Sequence, residues 1–187
     1  ERYDEQLKRL VGIDPTDMST TEKVKALRQY REAQYELMMD AVYDEVKRRK
    51  TLNGQYGAAS FMDLPEDVRP PRIFVFIDEF TSLMIPEQVA KLTGNESEDD
   101  LREHATLVAL NEAKRNIGGK TARIAREARS AGVVLVLATQ ELKATTLASI
   151  PQGETLKANL ARLVLGKASY GQLASALKEP TEAPDLG

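Results

Sequence analysis

Two uninterrupted apolar runs, separated by a long and mostly polar stretch, limit the fold more than any other feature of the sequence. They occupy residues 73–77 and 133–138. Neither run alternates apolar with polar residues, which is typical of strands covered on both faces in a parallel sheet. A helical segment that ends at Gly132 lies between them, and a third candidate strand, 160–165, ends at Gly166. This order of strands and helices predicts an α/β fold with a parallel sheet flanked by helices.

A long helix is predicted before the first strand. Ser19 and Glu22 have the spacing of a capping box, and apolar residues then recur every three or four positions to about Lys50. Asn53-Gly54 and Gly57 are expected to end this helix. The predicted apolar face consists of Val24, Leu27, Tyr30, Ala33, Leu37 and Ala41.

The remaining segments set the predicted domain organisation. Residues 1–20 are polar and lead into a domain formed by 21–178, and 179–187 form a loose tail. Within the domain, 86–119 is predicted to be an insertion. Its acidic run, residues 96–100, is expected to be either an exposed loop or the start of a helix. The first residue is Glu1 rather than Met, from which we expect a fragment or a processed chain.

The composition removes several kinds of site. The 187 residues include no Cys and one His, His104, which excludes disulfides, a thiolate zinc site, a cysteine nucleophile and a histidine-rich metal site, and disfavours a Ser-His-Asp hydrolase. No apolar run approaches the roughly 20 residues that span a bilayer, and we expect no signal peptide. Together with the lack of Cys, this favours a cytoplasmic location. The net charge of -3 gives no general attraction to nucleic acid, so any basic surface must be local.

Asp78 and Glu79 follow the first apolar run directly and give the strongest site signal. Ligands of open α/β sheets bind at the carboxyl ends of the strands, where two desolvated carboxylates need a cation. In P-loop nucleotide hydrolases, the first acid of this Walker B pattern holds Mg²⁺, commonly through water. The second acid activates the water that attacks the γ-phosphate. The alternative is that both carboxylates only cap the next helix.

Thr139 and Gln140 follow the second apolar run. A polar side chain there is expected beside the first strand's carboxylates, where it would hydrogen-bond the attacking water or the γ-phosphate. Thr-Gln after a strand is also an ordinary loop start. The two strand ends together favour the hydrolase interpretation.

The sequence Gly118-Gly119-Lys120-Thr121 is half of a phosphate-binding loop. Such a loop, the Walker A motif, needs Gly-x-x-x-x-Gly-Lys-Ser/Thr between a strand and a helix. Here Lys114 stands in the place of the first Gly, and the segment follows the Asp-Glu strand instead of preceding it. We therefore reject it as a Walker A motif. We expect either a helix break and restart, or a basic contact from Lys120 to phosphate or DNA.

Residues 112–132 carry six basic residues against two acidic ones, a local charge of +4. Arg123, Arg126 and Arg129 are three apart and are predicted to lie along one side of a helix. Such a row is suited to contact a DNA backbone, or to supply an arginine finger to the phosphates of a neighbouring subunit. The alternative is a solvated face that balances the acidic run.

Several of these features occur together in one known family. The long helix, the Asp78-Glu79-Phe80-x-x-Leu-Met segment, the Ala-Arg-Ser-Ala-Gly helix end and the strand closing in Ala138-Thr139-Gln140 resemble the FtsK/SpoIIIE family of DNA-pumping ATPases. The resemblance covers about residues 20–178. It implies a RecA-like fold with ATP and Mg²⁺ as cofactors. It also implies that Asp78 binds Mg²⁺ through water, Glu79 is the catalytic base and Gln140 senses the γ-phosphate.

The same resemblance implies a motor that moves double-stranded DNA through a ring, expected to be a hexamer, in chromosome segregation or conjugative transfer. A membrane anchor would lie outside this chain. Two departures from the family stand out: Glu141-Leu142 replace the usual Arg-Pro, and no Walker A motif is present. The sheet is therefore expected to be incomplete on its N-terminal side, and the isolated chain to bind ATP poorly and to be inactive.

Two other functions fit the same residues. One is a type VII secretion-type ATPase that acts on protein substrates. The other is a degenerate, non-catalytic module for ring assembly or partner docking, in which Asp78 and Glu79 are relics.

Overall fold

The structure is a computed structural model in which residues 2–139, 148 and 150–161 are described. The described part contains helices α1 (Arg2–Gln6), α2 (Thr20–Gln55), α3 (Phe80–Met84), α4 (Glu98–Glu127) and α5 (Gly153–Asn159), and strands β1 (Ile73–Ile77) and β2 (Val133–Leu137). Within it, none of the helices combines the length and the apolar character needed to cross a membrane. Most of the predicted third strand, from residue 162 onward, and the tail 179–187 lie outside the described residues.

β1 and β2 are parallel neighbours. Ile73 lies opposite Val133, and the register continues to Ile77 opposite Leu137. Both strands occupy almost the predicted positions, and Gly132 ends the preceding turn in a left-handed conformation (φ 70°). The predicted class, α/β with a parallel sheet flanked by helices, is confirmed, and the architecture is consistent with an incomplete RecA-like fold.

The core lies on one face of this two-stranded sheet. Val75, Ile77 and Val133 are buried there together with apolar residues of α2 to α5. On the opposite face, Phe74 and Phe76 are 56% and 70% exposed, and their rings stack with centroids 6.4 Å apart. The expectation that β1 is covered on both faces is therefore wrong for the described part of the chain, where the helices cover only one of them.

Helix α2 begins as the sequence predicts. The Ser19 N–H donates to Glu22 Oε2 at 2.6 Å, and the Glu22 N–H donates to Ser19 Oγ at 3.3 Å, which is a complete capping box. Of the predicted stops, Asn53-Gly54 still lies inside the helix, which ends at Gln55, and Gly57 follows that end in a left-handed conformation (φ 62°). Asn53 is buried and donates from Nδ2 to the Ser130 main-chain oxygen at 2.9 Å, so a tertiary contact holds this last turn.

The buried side of α2 is not the predicted one. Leu37, placed on the predicted apolar face, is 62% exposed. Apolar residues lie on more than one side of α2, and α4 packs against only one of these sides. The buried residues of α2 are Glu32, Met39, Val46, Arg49 and Asn53.

Helix α4 starts in the acidic run and continues without a break. Ser97 and Asp100 form a capping box, which confirms the helix-start alternative. The predicted break at Gly118-Gly119 is wrong. A Cβ added to Gly118 would lie 2.9 Å from Ile150 Cγ2, so close packing explains a glycine inside this helix. Whether 86–119 is an insertion stays a prediction.

The segment before α2 is folded back onto it. After α1, residues Leu7–Val11 form a π-helical turn in which Leu7 is fully buried. Asp4 and Lys23 form an ion pair at 2.6 Å. Residues 2–11 of segment 1–20 are therefore helical and anchored to α2, beyond what the sequence predicts.

Candidate functional site

The carboxyl ends of β1 and β2 are joined by two main-chain hydrogen bonds beyond the strands themselves. The Ala138 N–H donates to Ile77 O at 2.9 Å, and the Phe80 N–H donates to Ala138 O at 3.0 Å. These bonds flank Asp78 and Glu79. The candidate residues of the two strand ends, Asp78, Glu79 and Thr139, are thus brought to one edge of the sheet, as parallel pairing requires.

Asp78 and Glu79 form a sharp turn between β1 and α3. Asp78 is exposed, and its Oδ1 accepts from the Glu79 N–H at 2.9 Å. Glu79 is half-buried in a left-handed conformation (φ 52°, ψ 36°), and its Oε2 accepts from Ser82 Oγ at 3.3 Å. Glu79 occupies the N-cap position of α3, but neither carboxylate makes the side-chain capping bond to that helix. The geometry therefore disfavours the alternative in which they serve only as caps.

The conformation of Glu79 is unusual for a residue with a side chain. Left-handed backbone costs a non-glycine residue on the order of 1 kcal/mol and persists where surrounding contacts fix it. Here the Phe80 main-chain bond to β2 and the Ser82 hydroxyl hold the turn from two sides. Such strain clusters at functional sites, which supports a role for this turn beyond a connection.

Thr139 is held by a residue that the sequence analysis did not single out. The hydroxyl of Thr81, the second residue of α3, is hydrogen-bonded to the hydroxyl of Thr139. Thr81 is buried, whereas Thr139 is exposed. The sequence does show a threonine shortly after each of the two apolar runs. Contact between these threonines can be predicted only once the register of β1 and β2 is known.

The oxygen donors at this edge fit Mg²⁺ carried by a nucleotide. Mg²⁺ is bound in such sites by one or two carboxylates together with substrate phosphates and waters, not by a cage of protein ligands. Asp78 and Glu79 supply two carboxylates, and Thr139 a hydroxyl. Across the described residues, no cluster of three or more His, Asp or Glu side chains is able to hold a metal ion. The oxygen donors of this edge are two carboxylates and one hydroxyl, a set that would leave the other positions around a bound Mg²⁺ to water and phosphate.

Gln140, the predicted sensor of the γ-phosphate, lies outside the described residues, as do Glu141 and Leu142. Its role stays a prediction.

Lys120 lies within α4 and faces α2. Its Nζ is 2.6 Å from Asp40 Oδ1 and 3.4 Å from Glu36 Oε1. Burial acts against the charged form, but the pairing with Asp40 and Glu36 outweighs it and raises the lysine's pKa. A contact from Lys120 to phosphate or DNA stays a prediction, and it would require these ion pairs to open.

The arginine row spans the end of α4. Arg123 and Arg126 are exposed on the helix, and Arg126 Nη2 lies 3.1 Å from Glu127 Oε1. Because α4 ends at Glu127, Arg129 belongs to the following 3-10 turn, Ala128–Ala131. The row is therefore not confined to one helix, although all its members are exposed. With Lys114 buried and Lys120 paired, the exposed cations of segment 112–132 are Arg115, Arg123, Arg126 and Arg129.

No family model matches this sequence, and neither does any curated protein. One solved structure, described as the pCW3 conjugation coupling protein TcpA in its monomer form with ATPγS, matches with a TM-score of 0.54 and 21% sequence identity. The two chains share a fold. The match covers 83% of this chain and 39% of the TcpA chain, so the present chain spans well under half of that protein.

Proposed function

We propose that this chain is part of an ATP-hydrolysing motor that translocates double-stranded DNA, in the manner of the FtsK/SpoIIIE family. The observation that carries the proposal is the pair Asp78-Glu79 at the carboxyl end of β1, joined by hydrogen bonds to the end of β2 that carries Thr139. The shared fold with a conjugation coupling protein solved with ATPγS supports conjugative transfer over chromosome segregation.

The residues of this edge take separate roles in the proposal. Asp78, which is exposed, would hold Mg²⁺ through water, and Glu79 would deprotonate the attacking water. Thr139, and Gln140 after it, would hydrogen-bond the γ-phosphate. The metal would offset phosphate charge that two carboxylates otherwise repel.

The phosphate cradle is proposed to lie in a part of the protein other than this chain. The sequence contains no Gly-x-x-x-x-Gly-Lys-Ser/Thr, and its half-match at 118–121 is inside a continuous helix. Backbone N–H groups and a lysine normally neutralise the phosphates, so we expect this chain alone to bind ATP poorly. The motor would assemble as a ring, proposed to be a hexamer.

The exposed arginines support a DNA contact. Arg115, Arg123, Arg126 and Arg129 form a cationic surface around the end of α4. Cations that neutralise DNA phosphates release counterions, which makes binding strong at low salt and sequence-independent. One of these arginines would alternatively serve a neighbouring subunit's site as an arginine finger.

The test is ATP hydrolysis by the protein encoded by the complete reading frame, with linear double-stranded DNA or an unfolded polypeptide added. We expect DNA to stimulate hydrolysis. Replacing Arg123 and Arg126 by Gln should weaken DNA binding and lower the salt dependence by about two counterions. The matched control is Arg102→Gln, at the other end of α4, which should behave as the unmodified protein.

Other outcomes of this test favour the other functions. Stimulation by polypeptide and not by DNA would contradict the DNA motor and support a secretion-type ATPase. An absence of hydrolysis under every condition would support the non-catalytic module.

A further inference from the structure

The two strand ends of the candidate site are connected by a side-chain contact in addition to the main-chain bonds. Going outward from the sheet, Ala138 N–H pairs with Ile77 O and Phe80 N–H pairs with Ala138 O. The next contact is the hydrogen bond between the hydroxyls of Thr81 and Thr139. It continues the pairing of the two chain segments at a point where α3 has replaced β1.

Thr81 is placed to act through Thr139 and not on a substrate. Its side chain is buried, and its hydroxyl is engaged with Thr139, which is exposed at the edge of the sheet. Thr81 also follows Glu79 by two residues, so it belongs to the turn that holds this carboxylate. One buried hydroxyl thus links the candidate base of one strand end to the candidate phosphate contact of the other.

The hydrogen bond between Thr81 and Thr139 lies next to a strained part of the chain, the turn at Glu79. Glu79 adopts a left-handed backbone conformation, which is maintained only if the residues after it are fixed. Phe80 is fixed by its main-chain bond to Ala138, and Thr81 by its bond to Thr139. Removing the Thr81 hydroxyl would take away one of the bonds that join the start of α3 to the end of β2, where the Phe80–Ala138 main-chain bond would remain.

We propose that Thr81 is a positioning residue that sets the separation of Thr139 from Glu79 and thereby aligns the attacking water with the γ-phosphate. This inference rests on the proposed ATPase function. Alignment errors of about 1 Å are enough to slow such reactions by about a hundredfold.

The experiment compares Thr81→Val, which keeps the branched shape without the hydroxyl, with Thr81→Ser, which keeps the hydroxyl. In the intact protein, Thr81→Val should lower kcat for ATP hydrolysis by on the order of tenfold with little change in KM, and Thr81→Ser should stay within about threefold of the unmodified protein. Because Thr81 acts through Thr139, Thr81→Val should add little to the loss that Thr139→Val already causes, so the effects of the two substitutions should not add. A kcat of Thr81→Val equal to that of Thr81→Ser would overturn the proposal, as would independent effects of the two Val substitutions.

Amide hydrogen exchange separates failure of this inference from failure of the proposed function. In Thr81→Val, the Phe80 amide should exchange about tenfold faster than in Thr81→Ser, while the Val46 amide inside α2 stays unchanged. If the unmodified protein hydrolyses no ATP, the proposed function fails, and this exchange difference still decides whether Thr81 fixes the strand end. Equal exchange at Phe80 in the two variants would overturn the positioning role in either case.

Discussion

Lys114, in the middle of α4, donates a hydrogen bond from Nζ to the main-chain oxygen of Ile85 at 2.6 Å. Ile85 is the C-cap residue that directly follows α3, so the short helix after Asp78-Glu79 is anchored at its C-terminal end by a buried cation. The same Nζ lies 2.6 Å from Glu87 Oε1 and 3.9 Å from Glu32 Oε1. A positive charge at a helix C-terminus is favourable, and here it also compensates two carboxylates.

Replacing Lys114 by Met should destabilise the protein. The substitution keeps the length of the side chain but leaves Glu32 and Glu87 without their shared cation, and removing one partner of a buried pair costs about 3 kcal/mol. The free energy of unfolding in urea measures this loss. Lys91→Met, in an exposed loop position, is the control and should leave the free energy of unfolding unchanged. Equal stability of the two variants would contradict the anchoring role of Lys114.

Glu32 should make stability depend on pH in the direction opposite to most carboxylates. It is 1% exposed, and neither carboxylate oxygen has a hydrogen-bond partner among the described residues. Burial raises its pKa, against the opposing charge of Lys114. Because the unfolded chain releases this proton at a lower pH than the folded one, stability is lost as pH rises above the usual pKa of 4.5.

The Glu32→Gln variant tests this dependence. Its free energy of unfolding relative to the unmodified protein should increase between pH 5 and pH 8, measured in urea at each pH. Taking the difference removes the contributions of other carboxylates. A difference that does not change with pH would show that folding does not raise the pKa of Glu32.

Glu45 should stabilise the folded protein at neutral pH and lose this effect in acid, as is usual for paired carboxylates. Hydrogen bonds from Arg48 and then Arg49 lower the pKa of Glu45 to about 2. Arg49 is buried and also donates to Ala131 O at 3.3 Å, which ties α2 to the turn before β2. This stability is present above the usual pKa of a glutamate and is lost as pH falls toward about 2.

Replacing Glu45 by Gln should therefore lower the free energy of unfolding at pH 7 by about 1.5–3 kcal/mol, the range for hydrogen bonds to charged groups. The loss should shrink as the pH is lowered toward 3. Asp44→Asn is the matched control, since among the described residues Asp44 pairs only with the exposed Lys47. Thermal or urea unfolding of both variants at pH 7 and pH 3 decides the outcome, and a pH-independent loss in Glu45→Gln would contradict it.

Gly132 combines a left-handed backbone conformation with a lack of room for a side chain. It adopts φ 70°, and a Cβ added there would lie 2.5 Å from ring atoms of Phe61. Gly132→Ala should lower the free energy of unfolding by at least about 2 kcal/mol, since backbone strain and a steric clash add. Gly54→Ala, inside α2 with no atom within 4 Å of the added Cβ, should leave stability equal or raise it by up to about 1 kcal/mol. Similar stability of the two variants would show that the Phe61 contact is not formed.

The elements that the sequence predicts well are those with strong local signals. β1, β2, the α2 capping box and the end of the 3-10 turn at Gly132 all follow from unbroken apolar runs, capping chemistry and glycine. Parallel pairing then brings Asp78 and Thr139 to the same edge of the sheet. This part of the candidate site is predictable because it depends on chain order and on one register.

The features that the sequence misses depend on tertiary partners. The buried face of α2 is decided by where α4 packs, and burial of Glu32 and Arg49 contradicts any prediction based on hydropathy. Gly118-Gly119 stays helical because Ile150 packs against Gly118, which outweighs a helix propensity penalty of about 1 kcal/mol per glycine. The Thr81–Thr139 bond joins residues that are far apart along the chain, so no local pattern reveals it.

The proposed role of Glu79 as the base of an ATPase is tested most directly by ATP binding and hydrolysis in the Glu79→Gln variant of the intact protein. We expect nucleotide affinity to be kept and kcat to fall at least about a hundredfold, the range for loss of a general base. Glu66→Gln, the same change at an exposed loop position, should retain full activity. Hydrolysis by Glu79→Gln at the rate of Glu66→Gln would contradict the proposed role of Glu79 as the base.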